Sequence, residues 1–535
     1  MGWETDVRNR ASSSPTVTTV ACLISYIQSL ASDPSKESAE VGIASPIAGG
    51  TYLSAAVCLL QVSHDILACL QSIPHSRAPI NALDDDSLLN MFRLYRPTLL
   101  DGSEDLNERV ILGRKWHRER WWYKLAHVCQ RWRHLILQSA SHLGLCLLCT
   151  HGTPVADMLA HSPPLPLVID HHDINARDRK GIMLSLLHRD RVRRIRLMGS
   201  IPFLEWLIVV IDDEFPMLEY LCISPEDNTR LVIPRAFQAP QLRHLVLSNL
   251  AFPIGSPLLS APACLVTLSL TKIHPSAYFR PNELLQRVSL MPHLETLMID
   301  FHSPVPNNGV EQELLHMPNT THVTLPNLRS FGFGGITTYS ETLLSRITAP
   351  HLEVLQIVFF KQLTFSVSSL LRFMTSSENL KLRSAILTFD GWGANLSVYP
   401  FATAGLATFV LRFYSGHQLS TAVQIFDVLR RVFASIVDLA LEYEGHRSST
   451  RWQDEANRTL WRVLLRSFNN VKNLGVHTSF AKELSRSLRE SPMDLFPKLK
   501  KLSYSGGSNA GDSFKPFIDA RQNAGHPVAL VRHSH

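Results

Sequence analysis

The stretch Pro292-His-Leu-Glu-Thr-Leu-Met-Ile-Asp300 places leucine or isoleucine at 294, 297 and 299, an L-x-x-L-x-L spacing. Its last two apolar positions share one face of an extended chain, because strand side chains alternate with period two. The block returns at Pro240-Gln-Leu-Arg-His-Leu-Val-Leu247 and at Pro350-His-Leu-Glu-Val-Leu-Gln-Ile357. If other apolar residues are allowed, first positions fall at Val192, Leu218, Leu242, Leu265, Leu294, Leu328, Leu352, Leu382, Leu406, Ile436, Val471 and Leu499. They recur about every 28 residues. The triplet alone is weak, since apolar residues are common. Proline is stronger: Pro216, Pro240, Pro292, Pro326, Pro350 and Pro497 each stand two residues before such a position. Scattered at random, prolines would fill only ~0.7 of those twelve places.

Helix-like segments fill several intervals, at 282–290, 341–347, 365–374, 421–434, 456–468 and 481–489. A unit of one strand and one helix cannot bury both its faces alone, whereas stacked units share a continuous core. The fold class expected is therefore α/β, an irregular leucine-rich-repeat solenoid over 160–535. Parallel strands would form its concave face, with helices or loops on the convex face. A doubly wound fold would want a Gly-rich turn after its first strand, and none is present. Leu165-Pro-Leu-Val-Ile169 is a candidate extra first strand. Alternation assigns Tyr220, His244, Ser248, Thr267, Thr296, Asp300 and Gln356 to the concave face as substrate contacts. Their mild, mixed chemistry suits a protein ligand.

The chain has 535 residues, too many for one ordinary core. A charged fraction of 18% and a mean hydropathy of +0.02 exclude a largely disordered chain. A net charge of +6 spread over this length does not by itself call for nucleic acid. The eight cysteines are sparse and irregular, as in a reduced, intracellular protein, so the expected location is cytoplasmic and/or nuclear. Residues 1–50 read as poorly ordered, and 51–79 as a helix and linker. Gln61, His64, Asp65 and Gln71 interrupt the apolar run at 52–73, which argues for a packed helix and against a membrane span.

Between 80 and 150 the pattern changes. Asp84, Asp85 and Asp86 suit a helix N-terminus, and Leu88, Leu89, Phe92 and Tyr95 follow at helical spacing until Pro97. A second helix is expected over 121–137, with Leu125, Val128, Cys129, Trp132, Leu135 and Ile136 on its apolar face. Ile80-x-x-Leu83, Leu88-Leu89-x-x-Phe92 and Val128-Cys129-x-x-Trp132-x-x-Leu135 together resemble an F-box. The continuation from Leu143 to Asp170 looks like the stretch that follows it in expanded fungal F-box families. Asp84 stands where a proline is usual, and a charged insertion near 97–120 separates the helices. The resemblance implies a non-enzymatic adaptor. Its F-box would dock a Skp-family linker of a cullin–RING ubiquitin ligase, and its repeats would hold a protein substrate. Leu83, Leu88, Leu89, Phe92, Val128, Cys129, Trp132 and Leu135 are the implied partner contacts, each equally readable as core.

Other motifs carry less chemistry. Cys146-Leu-Leu-Cys149 lacks a second pair to complete a zinc site and reads as buried thiols. His171-His172-Asp173 could ligate a metal but follows a strand end, where polar residues are routine. Phe331-Gly-Phe-Gly-Gly335 lacks the G-K-[ST] ending of a phosphate loop and falls on a repeat strand, where backbone crowding explains glycine better. No catalytic constellation, metal or cofactor is assigned. The alternative function is a repeat scaffold that binds nucleic acid or other partners through basic runs at 114–133 and 189–196, with Trp116, Trp121, Trp122 and Tyr123 as stacking residues.

Overall fold

The repeated prolines mark a turn. In a computed structural model of the chain, the N–H of each following leucine donates to the carbonyl three residues back. Leu218 bonds Phe215, Leu242 bonds Ala239, Leu294 bonds Met291, Leu328 bonds Leu325, Leu352 bonds Ala349 and Leu499 bonds Phe496. Each proline thus takes the second position of a β-turn, where its fixed φ is favourable and its missing N–H costs nothing. Ile436 and Val471 close the same turn on Phe433 and Phe468 without proline. The carbonyl residue of each of these turns is buried, as is the anchor that closes it.

The structure describes residues 83–95, 121–150, 153–173, 179–226, 231–234, 236–259, 262–303, 322–401, 406–444, 455–505 and 509–533. The expected segments at 1–50 and 51–79, residue Ile80 and the insertion at 97–120 lie outside them. Two units are distinguished, the first ending at Gly144 and the second starting at Leu145. The strand Leu147–Cys149 pairs within the sheet of the second unit, so the boundary falls before residue 150.

The second unit is mixed α/β, with a mostly parallel sheet of sixteen strands. In chain order the strands are β1 (Leu147–Cys149), β2 (Leu167–Asp173), β3 (Val192–Gly199), β4 (Tyr220–Pro225), β5 (His244–Ser248), β6 (Thr267–Ile273), β7 (Thr296–Phe301), β8 (Val323–Thr324) and β9 (Ser330–Gly335). Then come β10 (Ile347–Thr348), β11 (Val354–Phe359), β12 (Ser384–Phe389), β13 (Gly393–Tyr399), β14 (Phe409–Tyr414), β15 (Asp438–Tyr443), β16 (Asn473–His477), β17 (Lys501–Ser505) and β18 (Ala529–His533). The short β8 and β10 pair only with each other. Eleven of the twelve anchors immediately precede a repeat strand, and Val192 opens β3.

Register aligns the leucines into rows. Ile195, Leu221, Leu245, Leu268, Leu297, Phe331, Leu355 and Phe409 are successive neighbours, as are Leu197, Ile223, Leu247, Leu270, Ile299, Phe333, Ile357 and Leu411. Both rows are buried, while many of the alternate positions stay half-buried. One face therefore carries the helices and the other is open, as the spacing predicts. The helices Pro281–Val288, Thr337–Leu344, Ser368–Thr375, Gln418–Phe433, Glu455–Leu465 and Thr478–Glu490 overlap the expected segments, least at 341–347, whose last residue opens β10.

The expectation of a purely parallel sheet is corrected at β12–β14. Strand order runs β11-β14-β13-β12-β15, and β13 is antiparallel to both its neighbours. The cause is a hairpin at Asp390-Gly-Trp-Gly393. The Asp390 Oδ1 accepts the N–H groups of Trp392 (2.6 Å) and Gly393 (2.7 Å), and its backbone carbonyl accepts Gln418 Nε2 (2.7 Å). The chain leaving β14 must then pass β13 and β12, roughly 14 Å at ordinary strand spacing. The sixteen-residue Gln418–Phe433 helix, about 24 Å long, makes that crossing.

In the first unit, the expected helix over 121–137 is two helices, Trp121–Ala126 and Gln130–Gln138. Cys129 takes an extended conformation at the start of the second, and Arg133 Nε caps the carbonyl of Ala126 at the end of the first (3.0 Å). The helix Asp85–Tyr95 starts as expected on Asp84, whose carboxylate accepts the N–H of Ser87 (2.7 Å). That bond also holds the Asp84 carboxyl below its ordinary value.

Candidate functional site

Partner contacts proposed from sequence separate by burial. Leu88, Phe92, Trp132 and Leu135 are buried in the first unit, with Phe92 2% and Trp132 4% exposed. The Phe92 and Trp132 rings meet edge-on at 4.8 Å. These four residues hold the helices together. Leu83, Leu89 and Cys129 are half-buried, and Val128 is 45% exposed in the turn between the two helices. At 100° per residue, the helix Asp85–Tyr95 extends its apolar surface outward from Leu88 and Phe92 through Tyr95 and Met91 to Leu94, which is 86% exposed. Sequence reading missed Met91 and Leu94, because they flank the periodic positions.

On the open face, Tyr220, His244, Thr267 and Thr296 form one row across β4–β7. The His244 Nδ1 lies 3.0 Å from Thr267 Oγ1, and the Tyr220 and His244 rings are 6.0 Å apart. Tyr220 itself is only 8% exposed, beneath the Arg194 guanidinium 5.0 Å from its ring. It is therefore corrected from a surface contact to the floor of that row. Ser248 and Asp300 belong to a row nearer the strand ends, and Gln356 to the row between.

Asp300 has the most distinctive surroundings. Its carboxylate leans over β9, where a Cβ on Gly334 would collide with Oδ1, and a Cβ on Gly332 would collide with Met298. These contacts correct the expected backbone crowding at Phe331-Gly-Phe-Gly-Gly335: side chains of the neighbouring strand, Met298 and Asp300, fill the space over Gly332 and Gly334. The carboxylate also accepts the backbone N–H of Lys272, which sits at a bulge in β6 with φ 51°. Burial raises the Asp300 pKa to about 6, against the smaller opposing effects of that N–H and of the Lys272 charge.

The basic runs disperse into separate contacts. Arg131 pairs with Asp85 (2.7 Å) and the Leu83 carbonyl. Arg189 pairs with Asp213, Arg193 with Glu219 (2.8 Å), Arg191 bonds the Leu165 carbonyl, and Arg196 is buried. Residues 114–120 of the first run lie outside the described residues. Cys149 is buried, which raises its thiol pKa, while Cys146 is half-buried. His171 packs on Phe203 with ring centroids 4.9 Å apart. Among the described residues, no three His, Cys, Asp or Glu side chains converge as a metal set, and no helix is long and apolar enough to cross a membrane.

A depression of about 590 Å³ lies along the starts of the repeat strands, lined by Glu219, Gln241, Arg243, Cys264, Val266, His293, Glu295 and Asn327. It includes none of the expected open-face contacts. No protein-family model matches the chain, and no curated protein is similar to it.

Proposed function

We propose that the chain is a substrate-recognition adaptor of a Skp–cullin–F-box ubiquitin ligase. In this reading the first unit is an F-box that docks the linker, and the second is an irregular leucine-rich-repeat solenoid that presents its open face to a protein substrate. The observation that carries the proposal is the pairing of a buried Phe92–Trp132 contact with exposed apolar side chains, Met91 and Leu94 on one helix and Val128 in the turn between the other two. Among the described residues of this unit four large apolar side chains are exposed, Tyr95 being the fourth; they are costly in water, and a helix-binding groove on a partner would cover them. Arginine pairing within the chain disfavours the alternative of a phosphate-tracking scaffold.

Co-purification of the full-length chain with a Skp-family linker tests the proposal. Leu94→Glu and Met91→Glu change exposed side chains and should leave the melting temperature unchanged while reducing linker recovery at least tenfold. Undiminished recovery with both folded variants would refute the docking surface.

A further inference from the structure

The adaptor reading, on which this inference rests, leaves the chemistry of the substrate open. Across β3, β4, β5, β6, β7, β9, β11 and β14, the positions that alternate with the buried rows include a single carboxylate, Asp300; the next ones on this face are Asp170 on β2 and Asp438 and Glu442 on β15. Of the cations on the same strands, Lys272 lies beside Asp300 itself, Arg193 pairs with Glu219 and Arg196 is buried. Arg412 pairs with Asp390 (3.2 Å), and Arg194 lies over Tyr220. Asp300 is half-buried and seated against Gly334, so its carboxylate has a fixed position above a strand that offers no side chain at 332 or 334. Beyond that strip, β11 contributes only the neutral Gln356 and Val358 on this side. Burial of the carboxylate outweighs the one backbone N–H donor and the Lys272 charge beside it, and a further charged donor would offset the remainder.

We propose that Asp300 is the specificity-determining residue of the open face and receives a lysine or arginine side chain of the protein substrate. Met298 covers Gly332 and the Asp300 carboxylate covers Gly334, so the carboxylate lies between β7 and β11, and Gln356, opposite Gly332, is placed to bond the arriving segment. Among the described residues, the titratable group that acts on Asp300 is Lys272 on β6, and His302 follows the end of its own strand. The strands β9 and β11 present none that titrates. Raised by burial, the carboxyl takes up its proton near pH 6, so the grip should weaken below that pH.

The test uses full-length chain on arrays of random heptapeptides whose central residue is fixed as Lys, Arg, Glu or Ser. At pH 7.5 the wild type should bind the Lys- and Arg-fixed sets at least tenfold better than the Glu-fixed set. Asp300→Asn, with its melting temperature measured alongside, should bring that preference to within twofold, and pH 5 should do the same to the wild type. A wild type without basic preference, one that binds no set, or a folded Asp300→Asn that keeps the preference would each overturn the inference. Linker co-purification from the same preparation keeps the two readings apart. Linker binding without basic preference overturns this inference alone, and basic preference without linker binding overturns the adaptor reading alone.

Discussion

Phe92 and Trp132 have the largest buried aromatic surfaces that join the two helices containing them. Removing either ring leaves a cavity that so small a core cannot refill. Trp132→Ala should destabilise the first unit by about 3–5 kcal/mol, measured by urea titration of its helical signal. Leu94→Glu should change it by less than about 0.5 kcal/mol. Asp300 gives a prediction of opposite sign. Its folded pKa, about 6, lies above the ordinary carboxylate value of 3.8, so between these values the folded state holds more proton than the unfolded. Its contribution favours folding at and below pH 4 and is lost as pH rises through 6. Asp300→Asn should therefore gain up to about 2 kcal/mol over wild type at pH 7.5 and nothing at pH 4, read from urea midpoints at both pH values. At this scale the sequence singled out Trp132 and Phe92, and offered Asp300 only as one of seven open-face candidates. It did not separate core from surface, because a helix residue facing its own unit and one facing a partner are both apolar. Only packing distinguishes Leu88 from Leu94.

Elements follow from short local rules where those rules are chemical. Proline two residues before a leucine marked the repeat, and the structure shows its reason, a turn whose closing bond is formed in all six cases. The helices are then stapled between repeats. The Glu341 carboxylate on one helix accepts the N–H groups of Ser369 (2.7 Å) and Leu370 (3.3 Å) at the start of the next. Glu341→Ala removes that cap and should cost about 1–2 kcal/mol, with faster hydrogen exchange in the first turn of Ser368–Thr375. The hairpin strand β13 was the element that sequence reading missed. Its signal was present, since Asp390-Gly391 separates two alternating runs, but a search for one parallel strand per repeat passes over an inserted antiparallel one. Asp390→Ala removes the turn acceptor and the Arg412 partner, and should lower the stability of the second unit by about 2 kcal/mol in thermal unfolding. The strands β1 and β18 were also missed. They end the sheet and carry only part of the repeat pattern.

For the whole molecule, stability of the second unit is distributed over stacked neighbours, and its last repeat is closed by a different device. Arg521 is almost fully buried and donates to the carbonyls of Pro492, Phe496, Pro497 and Leu499, which leaves the final turn without orphaned acceptors. The extended sheet was legible because leucine phase survives irregular spacing: each strand has to present its apolar residues at the same depth as its neighbours. The open face was legible only as a set of alternating positions. Which of them matter depends on neighbours that sequence separation hides, such as Gly334 beneath Asp300 and Arg194 above Tyr220.

The adaptor reading is tested most directly by site-specific crosslinking of the full-length chain to a purified Skp-family linker. A photocrosslinking amino acid is placed at position 94, and in a second protein at position 392, where Trp392 is 79% exposed in the second unit. A covalent adduct is expected from position 94, lost when Met91→Glu is added, and none from position 392. Absence of an adduct from position 94, or equal adducts from both positions, would contradict it.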